Sequence, residues 1–137
     1  MSTRLKEKEE KILQILERIN EEASKGNPII VEGKRDIEAL KKLAIEGKII
    51  TAKAGKTLLE LVSEVEETGA KEVILLLDFD RRGKELTKNL RQHLEKLGIK
   101  LNVTFWLSLL NLVGREVKDV EGLAAYMETL KSKIYNS

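Results

Sequence analysis

The sequence of 137 residues contains no cysteine. Disulfides, thiolate metal sites and cysteine nucleophiles are therefore excluded, and the composition fits a reducing compartment. Histidine occurs once, as His93, so no second histidine stands by to share a metal with it. Aromatic residues make up 4% of the chain and proline occurs once. No apolar run approaches the roughly 20 residues that a membrane span needs. The charged N-terminal stretch has no apolar segment of the kind a signal peptide carries. The expectation is a soluble cytoplasmic protein with no membrane partner. An excess of one charge is also missing: 25 Lys and Arg face 23 Asp and Glu, for a net charge of +2. Net charge alone thus gives no nucleic-acid signature. What is abundant is charge of both signs, 35% of residues. Such Glu- and Lys-rich composition suits a hyperthermophile, an expectation that a melting temperature in the mesophile range would contradict.

Hydrophobic spacing predicts alternating helices and strands within a length that suits one core. Over residues 4–24, Leu5, Ile12, Leu16, Ile19 and Ala23 fall on one helical stripe, widened by Leu13 and Ile15, until Gly26, Asn27 and Pro28 stop it. The polar face mixes acid and base. That suits packing on the domain or on a second copy better than a nucleic-acid arm. Residues 29–31 read as a buried strand. Asp36 is placed to cap a helix running from Ile37 to Gly47. A strand over 48–52, a loop over 53–56 and a helix over 57–67 follow. A central strand over 72–77, a helix over 83–97 and a fourth strand over 99–107 come next. Residues 108–135 are expected as two short helices broken near 117–122. This order implies an α/β fold with a mainly parallel four-stranded sheet between helical layers. The expected organisation is an N-terminal helix, 1–24, and one domain over 25–137 with a helical tail.

The chemistry gathers where strands end. Five aliphatic residues, 73–77, lead into Asp78, Phe79, Asp80, Arg81, Arg82 and Gly83. A run of that kind reads as a strand buried on both faces. Ligands of open parallel sheets bind at the carboxyl ends of strands. Glu32 ends the first strand, and Asp78 and Asp80 end the third. If those strands are neighbours, the carboxylates converge about 4.8 Å apart across the sheet. Such a set repels itself unless a cation or a proton relieves it, and a hard cation such as Mg²⁺ takes oxygen ligands. Gly33 and Gly83 follow the acids, where a bare backbone can approach a phosphate. Lys34, Arg35, Arg81, Arg82 and Lys84 surround the same edge, and Lys53 and Lys56 approach from the loop after the second strand. Cations around a carboxylate–metal centre suit a phosphodiester substrate.

These residues also carry a resemblance. Val31, Glu32, Gly33 and Lys34 after a strand, followed some 45 residues on by residues 77–83, resemble the Toprim domain over about residues 27–107. Toprim domains occur in topoisomerases, bacterial primases, nucleases, recombination proteins and the ribonuclease that matures bacterial 5S ribosomal RNA. The Glu32 to Asp36 form is most similar to that maturase and to small stand-alone Toprim proteins. The tail over 117–123 is also similar to the stand-alone group. The resemblance implies a Rossmann-like three-layer sandwich. It implies that Glu32 is a general acid/base and a metal ligand in some members, that Asp78 and Asp80 bind Mg²⁺ (Mn²⁺ as a substitute), and that Gly55 matches a glycine after the second strand. Arg81 and Arg82 stand where topoisomerases often carry an acid. Tyr126 and Tyr135 lie in tail helices, so topoisomerase activity is not expected.

Other motifs carry less. Gly55, Lys56 and Thr57 imitate the end of a phosphate-binding loop, but Ile50 stands where its first glycine belongs. Phe105 and Trp106 are expected in the core rather than stacked on bases, and His93 in a structural or surface place. Asp119 and Glu121 are within reach of the acidic edge, but a cap and a solvated turn is the preferred reading. A phosphoacceptor of receiver type would carry its acidic pair after the first strand, the reverse of this chain. Two functions remain. One is a Mg²⁺-dependent nuclease or nucleotidyl-transfer enzyme on RNA, favoured over DNA, with ribosomal RNA processing as the nearest theme. The other is a non-catalytic module that binds nucleic acid or a ribosomal component and retains the acidic site. The N-terminal helix either covers its own domain or builds a homo-oligomer.

Overall fold

The structure, a computed structural model, describes residues 3–53 and 55–135. In chain order the elements are α1 (Thr3–Ser24), β1 (Ile29–Val31), α2 (Lys34–Lys42), β2 (Ile49–Thr51), α3 (Leu58–Glu67), β3 (Glu72–Leu76), α4 (Arg81–Lys96), β4 (Lys100–Asn102), α5 (Thr104–Val113) and α6 (Val120–Tyr135). The four strands lie in the order β2-β1-β3-β4. Every neighbouring pair is parallel.

Side chains alternate across the sheet and so feed two cores. Ile29, Val31, Ile74 and Leu76 pack with α1, α2, α5 and α6 on one face. Ile30, Ile50, Val73, Leu75 and Leu77 pack with α3 and α4 on the other. The result is a three-layer α/β sandwich. From β1 the chain moves outward to β2, then returns past β1 to build β3 on its other side. That reversal makes the carboxyl ends of β1 and β3 a topological switch point, where open α/β sheets bind ligands.

α1 shares the first of these cores. Its Ile12, Leu16, Ile19 and Ala23 are buried beside Leu123 and Met127 of α6. The Asn20 side chain donates to the Ala44 carbonyl and accepts the Glu46 N–H. Buried Glu9 accepts the Tyr135 hydroxyl at 2.8 Å, and Lys8 lies 5.4 Å from the Tyr126 ring centre. Truncating Ile19, which is fully buried, to alanine is expected to cost about 2–4 kcal/mol in a urea titration. A loss under 1 kcal/mol would show that α1 is not part of the cooperative core.

The expected fourth strand over 99–107 is too long. Only residues 100–102 pair with β3, and the chain turns into α5 at Thr104. The Asn102 side chain causes the stop: its oxygen accepts the Thr104 N–H at 3.0 Å, while its amide donates to Glu72. Phe105, Trp106, Leu109 and Val113 are then buried at helical spacing. Helix boundaries shift as well. α2 begins at Lys34 and ends at Lys42, so Asp36 sits inside its first turn. Ala44, with φ of 60°, breaks the helix before Gly47 is reached. α4 starts two residues earlier than expected, because Asp80 caps it. Leu97 is 44% exposed at the C-cap, while Thr87 is buried.

Candidate functional site

β1 and β3 are neighbours, with Val31 opposite Leu76. The register sets Glu32, just past β1, beside the end of β3, and Asp78 follows two residues beyond Leu76. The β1–β2 ladder continues through this point, since the Ala52 and Lys53 N–H groups donate to the Val31 and Glu32 carbonyls. Glu32 is thus held by its backbone while its side chain is buried at 6% exposure. Its Oε1 lies 3.7 Å from Lys53 Nζ, and its Oε2 has no hydrogen-bond partner. A buried carboxylate oxygen with no donor is costly and calls for a cation, a proton or a ligand.

The loop between β3 and α4 is fixed from three sides. Trp106 donates its indole N–H to the Leu77 carbonyl at 2.8 Å. Phe79 donates its N–H to the Lys118 carbonyl, and its ring lies 5.8 Å from that of Trp106. Asp80 accepts the Gly83 N–H at 2.8 Å as the N-cap of α4. A Cβ on Gly83 would collide with the Asp78 carbonyl oxygen, so only glycine lets α4 start this close to the loop. Gly83→Ala is expected to cost about 1–3 kcal/mol by overpacking, read as a fall in thermal midpoint; an unchanged midpoint would mean the loop yields freely.

Two further carboxylates, one from a helix and one from the tail, join the set. Asp36 of α2 is buried and accepts the Gly33 N–H at 3.1 Å and the Glu121 N–H at 3.2 Å. It ties the first acidic loop to the start of α6. Asp119 caps α6 by accepting the Gly122 N–H at 2.6 Å. Burial pushes the Asp78 carboxyl up to about 7, reinforced by the negative charges of Glu32, Asp36, Asp119 and Asp80. Burial also raises Asp36, against the two N–H groups it accepts, and Asp119 and Glu121 add to the rise. The expected cap at Asp119 is present, and the charge of Asp119 acts on Asp78 and Asp36 while that of Glu121 acts on Asp36. A cue was their Val-Lys-Asp spacing in the tail; the capping chemistry masked it.

The basic residues divide. Lys34, Arg35, Arg81, Arg82 and Lys84 are exposed around the edge. Lys53 faces Glu32. Lys56 turns away: its amine donates to the Thr51 carbonyl at 2.9 Å and pairs with Glu64 at 2.6 Å. Gly55 takes φ of 72°, with open space where a Cβ would lie. The N–H groups of Gly33 and Gly83 are engaged by Asp36 and Asp80, so a phosphate would meet the bare Cα of Gly33 rather than its N–H.

Among the described residues no group of three or more acidic or histidine side chains is arranged to hold a metal ion as it stands. Mg²⁺, however, usually takes one or two carboxylates and completes its shell with water and substrate phosphate. The all-oxygen donor set, the unpartnered Glu32 Oε2 and the mutual repulsion around Asp78 fit such an ion. Of the acids, Asp80 is exposed, Asp78 and Asp119 are half-buried, and Glu32 and Asp36 are buried. A groove of about 610 Å³ between α1 and α5 is lined by none of these residues. Among the described residues, no helix is long and apolar enough to cross a membrane.

A family model described as the Toprim domain matches residues 27–106. A UPF0292 protein of Methanocaldococcus jannaschii is 40% identical over 119 residues, which are 86% of this chain and 91% of that one. A UPF0292 protein of Methanosarcina acetivorans is 38% identical over 124 residues, covering 90% and 85%. Both matches are longer than the family model's, and so extend beyond β4 or into α1. A solved structure of a protein from Aquifex aeolicus is similar with a TM-score of 0.66 and 27% identity, covering 79% of this chain and 94% of that one.

Proposed function

The chain belongs to the Toprim domain family, and on that premise we propose that it is a Mg²⁺-dependent nuclease or nucleotidyl-transfer enzyme acting on phosphodiester bonds of RNA. Family membership points to metal-dependent work on nucleic acid. The observation that carries the finer reading is the unpartnered, buried Oε2 of Glu32 beside an Asp78 whose proton is held to about 7. A carboxyl that exchanges its proton near neutrality is suited to acid–base work and to trading that proton for a cation.

Asp78 and Asp80 are the residues to hold Mg²⁺, with Glu32 completing the site or moving a proton. When bound, Mg²⁺ neutralises charge that builds on phosphoryl oxygens. In this reading Glu32, beside Lys53, takes a proton from the attacking oxygen or gives one to the leaving oxygen. Lys34, Arg35, Arg81 and Arg82 hold the flanking backbone in this reading. RNA is favoured over DNA because the Glu32 to Asp36 motif is similar to that of the 5S ribosomal RNA maturase.

The absence of a ready three-ligand group among the described residues favours a second reading, a binding module that retains the acidic site without turnover. Calorimetric titration of Mg²⁺ and Mn²⁺ into wild type and Asp78→Asn/Asp80→Asn, with and without a short RNA duplex, separates the two when paired with a gel assay of the same RNA. The enzyme reading expects metal binding that tightens with RNA, vanishes in the double variant and accompanies cleavage. Binding of RNA that persists in EDTA, with no cleavage under any metal, would overturn it in favour of the module.

A further inference from the structure

α4 departs from the charge balance of the chain. Its 16 residues hold six Lys or Arg against two Glu, an excess of four, whereas the whole chain has an excess of only two. The rest of the molecule is therefore net acidic. Arg81, Lys84, Lys88 and Arg91 recur at spacings of three and four, which puts them on one side of the helix. All four are exposed, along one flank of the face that buries Gly83, Thr87, Leu90 and Leu94.

No other helix has as large a basic excess: α2 has an excess of two, α5 and α6 have none, and α1 and α3 are net acidic. On α2, Lys41 pairs with Glu38. On α3 the outward residues Glu60, Glu64 and Glu67 are acidic. On α4, of the four stripe cations only Arg81 has an ion pair recorded, at 3.8 Å from Glu85, with both side chains largely exposed. A pair of that kind contributes little and gives way readily to a stronger anion. The stripe begins beside Asp80, the cap of α4 at the acidic edge, and runs about 15 Å along the helix from Arg81 to Arg91. Adjacent cations are about 4.5–6 Å apart along the axis, close to the repeat of phosphates along a nucleic-acid strand.

We infer that this face of α4 is a track for the phosphate backbone of a polynucleotide, which it leads to the acidic edge. The inference rests on the nucleic-acid reading of the site and adds the direction of approach. A strand laid on α4 is repelled by the acidic face of α3, which packs against the same side of the sheet. It therefore runs along the α4 axis rather than across both helices. The recognition is electrostatic and independent of sequence.

The test compares Lys88→Glu/Arg91→Glu with Lys131→Glu/Lys133→Glu, an equal charge change on exposed positions of α6. Binding of a fluorescein-labelled RNA duplex is followed by anisotropy from 50 to 300 mM salt, and Mg²⁺-induced thermal stabilisation reports the acidic site separately. The α4 double variant is expected to bind roughly ten- to a hundredfold more weakly at 0.1 M salt, with a salt slope shallower by about 1.8, while the α6 variant changes less than about twofold. Mg²⁺ stabilisation stays as in wild type. Equal weakening in both variants, or none in the α4 variant, overturns the track while leaving the proposed enzyme intact. A wild type that binds no RNA yet is stabilised by Mg²⁺ overturns the track and the polynucleotide substrate, but not the metal site. Loss of Mg²⁺ stabilisation in wild type itself would count against the proposed function.

Discussion

Asp78→Asn is expected to abolish Mg²⁺-dependent cleavage and, at pH 8, to raise the melting temperature of the same protein. The two effects have one cause. Asp78 is ionised at pH 8 in a partly buried place where Glu32, Asp36, Asp119 and Asp80 all repel its charge. Asparagine has the same shape and no charge, so the repulsion disappears. A rise from the ordinary carboxylate range to about 7 sets a ceiling of about 4 kcal/mol on the penalty. Partial exposure to screening water reduces it to on the order of 1–2 kcal/mol, or roughly 3–8 °C in a chain of this size. The backbone of the loop does not depend on that charge. Trp106 and Lys118 hold it through the Leu77 carbonyl and the Phe79 N–H. Cleavage, by contrast, is expected to fall by on the order of 10³, the size of losing one preorganised electrostatic contact to the reacting phosphate. Scanning calorimetry and a gel assay on one preparation check both. Asp80→Ala is the contrast: it removes the cap of α4 and should lose about 1 kcal/mol along with activity. An Asp78→Asn protein that melts lower than wild type would mean the acids do not crowd one another as the structure has them.

The parts of this site that sequence reveals are those that local rules dictate. An unbroken aliphatic run, buried on both faces, marks β1 and β3, and the acids that follow each run must emerge at the strand ends. Parallel pairing then makes Glu32 and Asp78 neighbours, provided β1 and β3 are adjacent, as they are. Asp36 is legible in the sequence only as a cap, and Asp119 chiefly as one. They stand 83 positions apart in the chain, and what brings them together is the docking of α6 on α2, marked by the Glu121 N–H bond to Asp36. No local pattern encodes that contact. Lys56 shows the converse. Its place after β2 suggests a site cation, but Glu64, one helical turn into α3, captures it. Leu101, Val103 and Phe105 alternate with less apolar neighbours, which fits the expected strand over 99–107. The Asn102 side chain, by accepting the Thr104 N–H, chose helix instead. In each case the deciding partner lies outside the window in which periodicity operates, or competes with it through one polar side chain.

The response of the protein to pH and Mg²⁺ together gives the second large effect. A carboxyl whose folded value is raised binds its proton more tightly folded than unfolded. Between the unfolded value, about 3.9, and about 7 in the fold, the native state therefore holds more protons. Stability from this group is complete below pH 4, falls as pH rises through that window, and is lost above about 7. Asp36, also raised, acts in the same direction. Wild type should thus melt lower at pH 8 than at pH 5.5 in EDTA, apart from other titrating groups, and Asp78→Asn isolates this group by removing its share of the slope. Mg²⁺ reverses the trend, because it occupies the site that the proton vacates. Metal binding that displaces one proton weakens about tenfold for each pH unit below 7. At pH 8, millimolar Mg²⁺ in hundredfold excess over its dissociation constant would stabilise wild type by about 2.7 kcal/mol; at pH 5.5, with affinity about thirtyfold weaker, the same concentration should add only about 0.9 kcal/mol. Melting curves at the two pH values, with and without Mg²⁺, measure this coupling without any substrate. Stabilisation of equal size at both pH values would show that Mg²⁺ binds elsewhere and does not compete with the Asp78 proton.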